Sequence, residues 1–121
     1  MNRLPQLDTI VSEMKIHGHL DRILVDYRDR LREVLGGELD SVLLYGSQAR
    51  GDSTDDSDID ILCVLKRPFN YGEMVLAAGE VSSEIGLEHD VVISTAFVSR
   101  EDYEGRGTPF LINVRREARP V

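Results

Sequence analysis

The feature that most constrains this chain is the run Asp58-Ile-Asp-Ile-Leu-Cys-Val-Leu65, acidic where it starts and apolar where it ends. Its length and pattern read as a β-strand. Side chains two apart leave a strand on one face, with Cα atoms about 6.6 Å apart at a rise of ~3.3 Å per residue, so Asp58 and Asp60 point the same way. Two carboxylates ~5 Å apart repel by about 3 kcal/mol at an effective dielectric near 20, a large part of a small domain's stability. A divalent cation between them removes that repulsion. Hard carboxylate oxygens suit Mg²⁺ or Mn²⁺, and Mg²⁺ is usually held by one or two protein carboxylates together with substrate phosphates. The pair therefore predicts a phosphate-bearing substrate.

The elements around this run follow from periodicity and turn residues. Ser41-Val-Leu-Leu-Tyr45 is a continuous apolar run between glycines, as expected for a first strand covered on both faces. Gly46 to Ser57 is polar and turn-rich. Lys66-Arg67-Pro68 ends the second strand, and Met74, Val75, Ala78, Val81 and Ile85 form a helical stripe over residues 71–85, with Gly86 as its stop. Leu87 to Ile93 reads as a third strand, and the intervening helix suits a right-handed crossover to a parallel neighbour. Upstream, Leu7, Ile10, Val11 and Met14 predict a short helix at about 5–17 that ends near His17-Gly18. Leu20, Ile23, Leu24, Tyr27, Leu31, Val34 and Leu35 predict a second, stopped by Gly36-Gly37. A short helix near residues 98–103 follows the third strand. Thr108-Pro109 then has the form of an N-cap with proline at the first helical position, opening a last helix through Phe110, Leu111 and Val114. The expected fold is α/β or α+β, with a small mixed sheet of about three strands flanked by helices.

Composition narrows the function classes. At 121 residues the chain suits one domain, and 22 acidic against 14 basic residues give a net charge of −8, which opposes bulk nucleic-acid binding. No apolar run approaches the ~18 residues that span a bilayer, and residues 1–10 lack a signal-peptide apolar region, so a cytoplasmic protein is expected. Cys63 has no partner in the chain and reads as a small core residue. Only Lys15 and Lys66 are lysines, so the cations are nearly all guanidiniums suited to phosphate or carboxylate.

Gly46-Ser47 directly follows the first strand, where glycine lets the backbone approach an anion and serine offers its N–H and hydroxyl to phosphate oxygens. Arg50, three residues on, adds a phosphate contact. If Ser47 and Asp58 share one site, the first two strands run antiparallel. Two ions ~3.5–4 Å apart in an in-line phosphoryl displacement call for a third carboxylate. Asp90, in the early part of the third strand, is the first candidate and Glu88 the runner-up. An EF-hand loop starting at Asp52 fails, with Ser57 where glycine is needed and Cys63 where glutamate is needed, and no Gly-Lys-[Ser/Thr] ending marks a P-loop.

Taken together, Gly-Ser after an apolar strand, Asp-x-Asp opening the next and a third strand bearing Asp are far more specific than any one element. The stretch from Leu44 to Val64 resembles the signature of the DNA polymerase beta-like nucleotidyltransferase superfamily, and is most similar to its minimal nucleotidyltransferases of the MntA antitoxin type. The resemblance runs from about Leu20 to the C-terminus, since Pro109 to Ala118 is similar to the closing helix of that group. It implies a nucleotidyltransferase fold in a single domain with an extra N-terminal helix. Asp58, Asp60 and Asp90 are then the catalytic and metal-holding carboxylates, and Gly46 and Ser47 hold the nucleotide phosphates, with Arg50 and Ser57 expected beside them. Gln48 stands where many relatives carry arginine. The implied reaction is transfer of a nucleotidyl group from ATP, with Mg²⁺ or Mn²⁺, to a hydroxyl of a helical HEPN-type (HepT-like) RNase toxin, the chain acting as antitoxin. The rival expectations are a module that neutralises such a partner by contact alone, and a small-molecule nucleotidyltransferase completed by another subunit.

Other residues invite roles that simpler physics accounts for. Glu13 and His17, four apart with His19 following, lack a convergent third ligand for a metal. His89 reads as a packed or partly exposed histidine on the strand face opposite Asp90. Arg115, Arg116 and Arg119 complement the dipole at the end of the last helix. Tyr45 and Tyr71 read as core or rim aromatics.

Overall fold

The computed structural model describes the backbone of residues 3–54 and 57–121 and the side chains of residues 18–54 and 57–121. The stripe of Leu7, Ile10, Val11 and Met14, the Glu13–His17 pair, and Asp55 and Asp56 therefore lie outside the residues whose side chains are described. The order is α1 (Arg3–Leu35), a 3-10 turn (Gly36–Glu38), β1 (Leu39–Tyr45), α2 (Gly46–Arg50), β2 (Ile59–Leu65), α3 (Tyr71–His89), β3 (Ile93–Ser99), α4 (Arg100–Gly105), α5 (Pro109–Glu117) and β4 (Arg119–Pro120). No helix among the described residues is long and apolar enough to cross a membrane.

The strands form one mixed sheet in the order β3-β2-β1-β4. β1 and β2 are antiparallel with Tyr45 opposite Asp60, and β2 and β3 are parallel with Asp60 opposite Ser94, so both expected strand directions hold. α1 and α3 cover one face. Ile23, Leu24, Tyr27, Leu31 and Leu35 from α1, with Ala78, Val81 and Ile85 from α3, pack there against Val42, Leu44, Ile59, Ile61, Cys63, Leu65 and Phe97. On the other face Leu111 and Val114 of α5 pack against Leu43, Leu62 and Val64. Cys63 is buried in the first layer, which pushes its thiol up to about 12. Tyr27, also fully buried, shares a 2.7 Å hydrogen bond with Thr95 Oγ1, and burial pushes its phenol up to about 12.

Several boundaries differ from expectation, each for a local reason. The two N-terminal helices are one, because Gly18 costs a helix interior only about 1 kcal/mol relative to alanine and does not stop it. Val34 lies on the exposed side of the α1 stripe. α3 runs four residues past Ile85, and Gly86 is inside it. Asp90 takes the left-handed conformation at φ 54° and Val91 N–H returns to Gly86 O at 3.1 Å, a Schellman turn. A Cβ on Gly86 would lie 2.8 Å from Val91 O, so the glycine serves this close approach of the exiting chain. β3 consequently begins at Ile93, six residues later than expected. The sheet also has a fourth strand: Arg119–Pro120 pairs antiparallel with Leu44 and Leu43. Proline gives a strand no ladder donor, which is why that segment carries no strand pattern and why it sits at an edge. Arg119 accordingly lies outside the last helical turn. At the other end of α5 the expected cap holds, with Thr108 accepting from Leu111 N–H at 3.2 Å and Pro109 at the helix start.

Candidate active site

The end of β1 and the start of β2 meet because the strands are antiparallel, which sets the Gly46 turn beside Asp60. Gly46 has φ 75°, and a Cβ there would lie 2.4 Å from Asp60 Oδ2. Glycine is thus required twice, once for its backbone and once for the carboxylate seated against it. Asp60 is half-buried and Asp58, immediately before β2, is exposed. Burial, and then the neighbouring Asp58 charge, hold the Asp60 carboxyl above its usual range, while the Arg50 guanidinium pulls it down. The two carboxylates therefore feel each other, as their spacing predicts.

α2 follows at once, with Ser47 O accepting from Gly51 N–H at 2.9 Å and Asp52 N–H at 3.1 Å. Gly51 ends it at φ 79°. The loop beyond is tied back by Gln48, whose Nε2 donates to Ser57 O at 3.4 Å and whose Oε1 accepts from Ser53 Oγ at 3.0 Å. Ser57 Oγ accepts from Thr54 N–H at 2.8 Å, so that hydroxyl closes a turn. Gln48 thus ties down the loop between α2 and β2.

Arg50 reaches the site, but its guanidinium is engaged by carboxylates: Nε to Asp52 at 3.2 Å and Nη1 to both oxygens of Glu117 at 3.3 Å, contacts that raise its pKa. Glu117 Oε1 also accepts from Gly46 N–H at 3.3 Å. Sequence reasoning missed Glu117, because it lies 71 residues from Gly46 in an arginine-rich helix end and carries no motif. Tyr45, cross-strand from Asp60, packs edge-on against Phe110 at 5.4 Å, consistent with a rim aromatic.

The structure does not place Asp90 where the sequence pattern set it. It belongs to the cap of α3, it is exposed, and the β3 residue opposite Asp60 is Ser94. The runner-up, Glu88, is helical as well and bonds Arg30 at 2.9 Å, which holds its carboxyl below the usual range. His89 ends the same helix, edge-on to His19 at 5.6 Å and 4.0 Å from Asp26 Oδ2. Asp26, Glu88 and His89 converge there within 4.8 Å, but Arg30 already bonds both carboxylates. That cluster is a salt-bridged seam between α1 and α3. Tyr71 packs edge-on against Phe97 at 5.5 Å, and Arg115 donates to Tyr103 O at 2.5 Å.

A cation fits the Asp58–Asp60 pair on this structure's own terms. Its acidic oxygens are hard donors, burial and then the Asp58 charge raise the Asp60 carboxyl, and glycine at position 46 leaves the Asp60 carboxylate room to sit against the turn.

Residues 24–121 match the model of the nucleotidyltransferase domain family. A curated relative from Methanocaldococcus jannaschii, named "Putative protein adenylyltransferase MJ0604", is 30% identical over 100 residues, covering 82% of this chain and 94% of its own. Two solved structures share the fold at a TM-score of 0.55. One, a toxin–antitoxin with AMP-PNP, is 17% identical and covers 78% of this chain and 68% of its own. The other, described as a "putative minimal nucleotidyltransferase", is 22% identical and covers 84% and 95%. With Asp-x-Asp opening β2 beside a Gly-Ser turn, and a family match over most of its length, the chain belongs to the nucleotidyltransferase domain family and is a nucleotidyltransferase.

Proposed function

We propose that this chain is a Mg²⁺-dependent adenylyltransferase that transfers AMP from ATP to a hydroxyl of a partner protein, a HEPN-type RNase toxin, and so acts as its antitoxin. The observation that carries the reading is the Asp60 carboxylate seated against the Gly46 turn with Asp58 next to it. The name of the Methanocaldococcus relative supports protein as acceptor and adenylyl as the group moved. The fold shared with a toxin–antitoxin containing AMP-PNP supports the partner class and the nucleotide. A net charge of −8 suits docking to a basic RNase surface.

In this reaction the acceptor oxygen attacks the α-phosphorus, the new P–O bond forms as the bond to the β-phosphate oxygen breaks, pyrophosphate leaves, and the acceptor proton is lost to solvent or a base. Catalysis of this kind is mostly positioning and electrostatics. Asp58 and Asp60 would hold Mg²⁺, which supplies positive charge to the triphosphate and to the acceptor oxygen. Gly46 and Ser47 would line the phosphates. Arg50 would exchange a carboxylate partner for a phosphate oxygen. Asp90, which the resemblance implies as a third carboxylate, is exposed at the cap of α3 and takes no step in this reading.

The test uses purified chain, a HEPN-type RNase toxin as the candidate partner, and ATP labelled at the α-phosphate, with Mg²⁺. Label on the partner that disappears in Asp58→Asn and Asp60→Asn supports the proposal. Full neutralisation of the partner by a folded, unlabelled double mutant would overturn it in favour of contact alone.

A further inference from the structure

The last turn of the chain reaches into the site. Buried Leu111 and Val114 anchor α5 on the sheet, and directly after Glu117 the chain is stitched to β1, by the pairing of Arg119–Pro120 with Leu44 and Leu43 and by Val121 N–H donating to Val42 O at 2.9 Å. Those β1 residues lie just upstream of Gly46. Glu117 is therefore fixed on both sides, and its side chain is 24% exposed. Its carboxylate takes Gly46 N–H and Arg50 Nη1, the backbone that seats Asp60 and the cation whose charge acts on Asp60.

We propose that Glu117 is a positioning residue of the nucleotidyl-transfer site: it holds the Gly46 turn and the Arg50 guanidinium in register with Asp60. This rests on the reading of the Asp58–Asp60 site given above. An exposed ion pair alone contributes little to stability. A small misplacement of catalytic groups, by contrast, costs up to about 100-fold in rate. The two roles thus separate by readout.

Glu117→Ala, Glu117→Gln, Arg50→Ala and the Arg50→Ala/Glu117→Ala double variant are compared with wild type and Asp60→Asn. Three quantities are measured: pyrophosphate release from ATP with Mg²⁺ and the acceptor toxin, binding of a non-hydrolysable ATP analogue, and the amide resonance and hydrogen exchange of Gly46. Glu117→Ala is expected to lower kcat by about tenfold or more with KM changed less, to deprotect the Gly46 amide, and to leave the melting temperature nearly unchanged. Glu117→Gln keeps an acceptor for Gly46 and falls between. The double variant loses no more than the worse single one, because Glu117 acts through Arg50 and Gly46. The proposal is overturned by a Gly46 amide unchanged in Glu117→Ala, by fully additive losses, by losses that follow melting temperature, or by tighter analogue binding with turnover intact. Retained turnover in Asp60→Asn would sink the site reading and the catalytic part of this proposal with it, while a perturbed Gly46 amide in Glu117→Ala would still show that Glu117 holds the turn.

Discussion

Two regions of this molecule gather carboxylates, and they resolve the crowding in opposite ways. On the α1–α3 seam, Asp26, Glu84 and Glu88 surround Arg30, which bonds them at 3.0, 3.4 and 2.9 Å, and Glu88 is held below its ordinary pKa. At the β1–β2 end, Asp60 is held above its ordinary pKa by burial and by Asp58, although Arg50 stands nearby. Arg50 bonds Asp52 and Glu117 there and reaches Asp60 only through its charge, whereas Arg30 bonds each carboxylate of the seam directly. An acidic cluster that a cation already satisfies is structural. A pair that no guanidinium among the described residues bonds, beside a glycine turn, is the candidate for a ligand.

The sharpest way to break this contrast is Gly46→Ala. A residue with a Cβ pays roughly 1–2 kcal/mol for the left-handed backbone, and the added atom would also strike Asp60 Oδ2. We expect a loss of about 2 kcal/mol or more by denaturant unfolding, together with a fall in nucleotidyl transfer of about 100-fold or more. The same change at Gly51, which has nothing within 4 Å, should cost only its backbone share.

Asp60→Asn is the next largest. A raised folded-state pKa means that the fold favours the neutral carboxyl, so this contribution is fully present below the unfolded value and is lost as pH rises through the folded one. Without divalent ions the amide variant should therefore melt above wild type at neutral pH, the gap closing in acid. Adding Mg²⁺ should raise the wild-type melting temperature and leave the variant's unmoved. A variant less stable than wild type at neutral pH would show that the pair is not under-compensated.

Asp90→Gly tests the displaced carboxylate. Glycine relieves the left-handed strain at C′ at some cost in unfolded-state entropy, so stability should rise by about 0.5–1 kcal/mol with transfer unchanged. A large fall in transfer would restore Asp90 to the chemistry. The smallest effect belongs to the seam. Arg30→Met should lower stability slightly at low salt and less at high salt, with nucleotide binding unaffected.

The legible parts of the site were those written locally. Asp58 and Asp60 announce themselves by alternation, and Gly46-Ser47 by following an apolar strand. The Thr108-Pro109 start of α5 is equally local, because an N-cap bonds its own third neighbour. What misled was Gly86. A glycine after a helical stripe has the same appearance whether it ends the helix or receives the returning chain, and only Val91 O at 2.8 Å from its would-be Cβ distinguishes them. That single ambiguity moved β3 by six residues and took Asp90 with it.

By itself, then, the sequence determined the first two strands, the helical stripes and the acidic pair, because each follows from periods of two or 3.6 residues and from turn chemistry within a few positions. Only the tertiary structure decided that Ser94 lies opposite Asp60, that a proline-bearing fourth strand closes the edge of β1, and that Glu117 reaches Gly46. Those outcomes depend on contacts between segments tens of residues apart. No local propensity records them, because each group finds its partner only after the helices have packed and the last strand has paired.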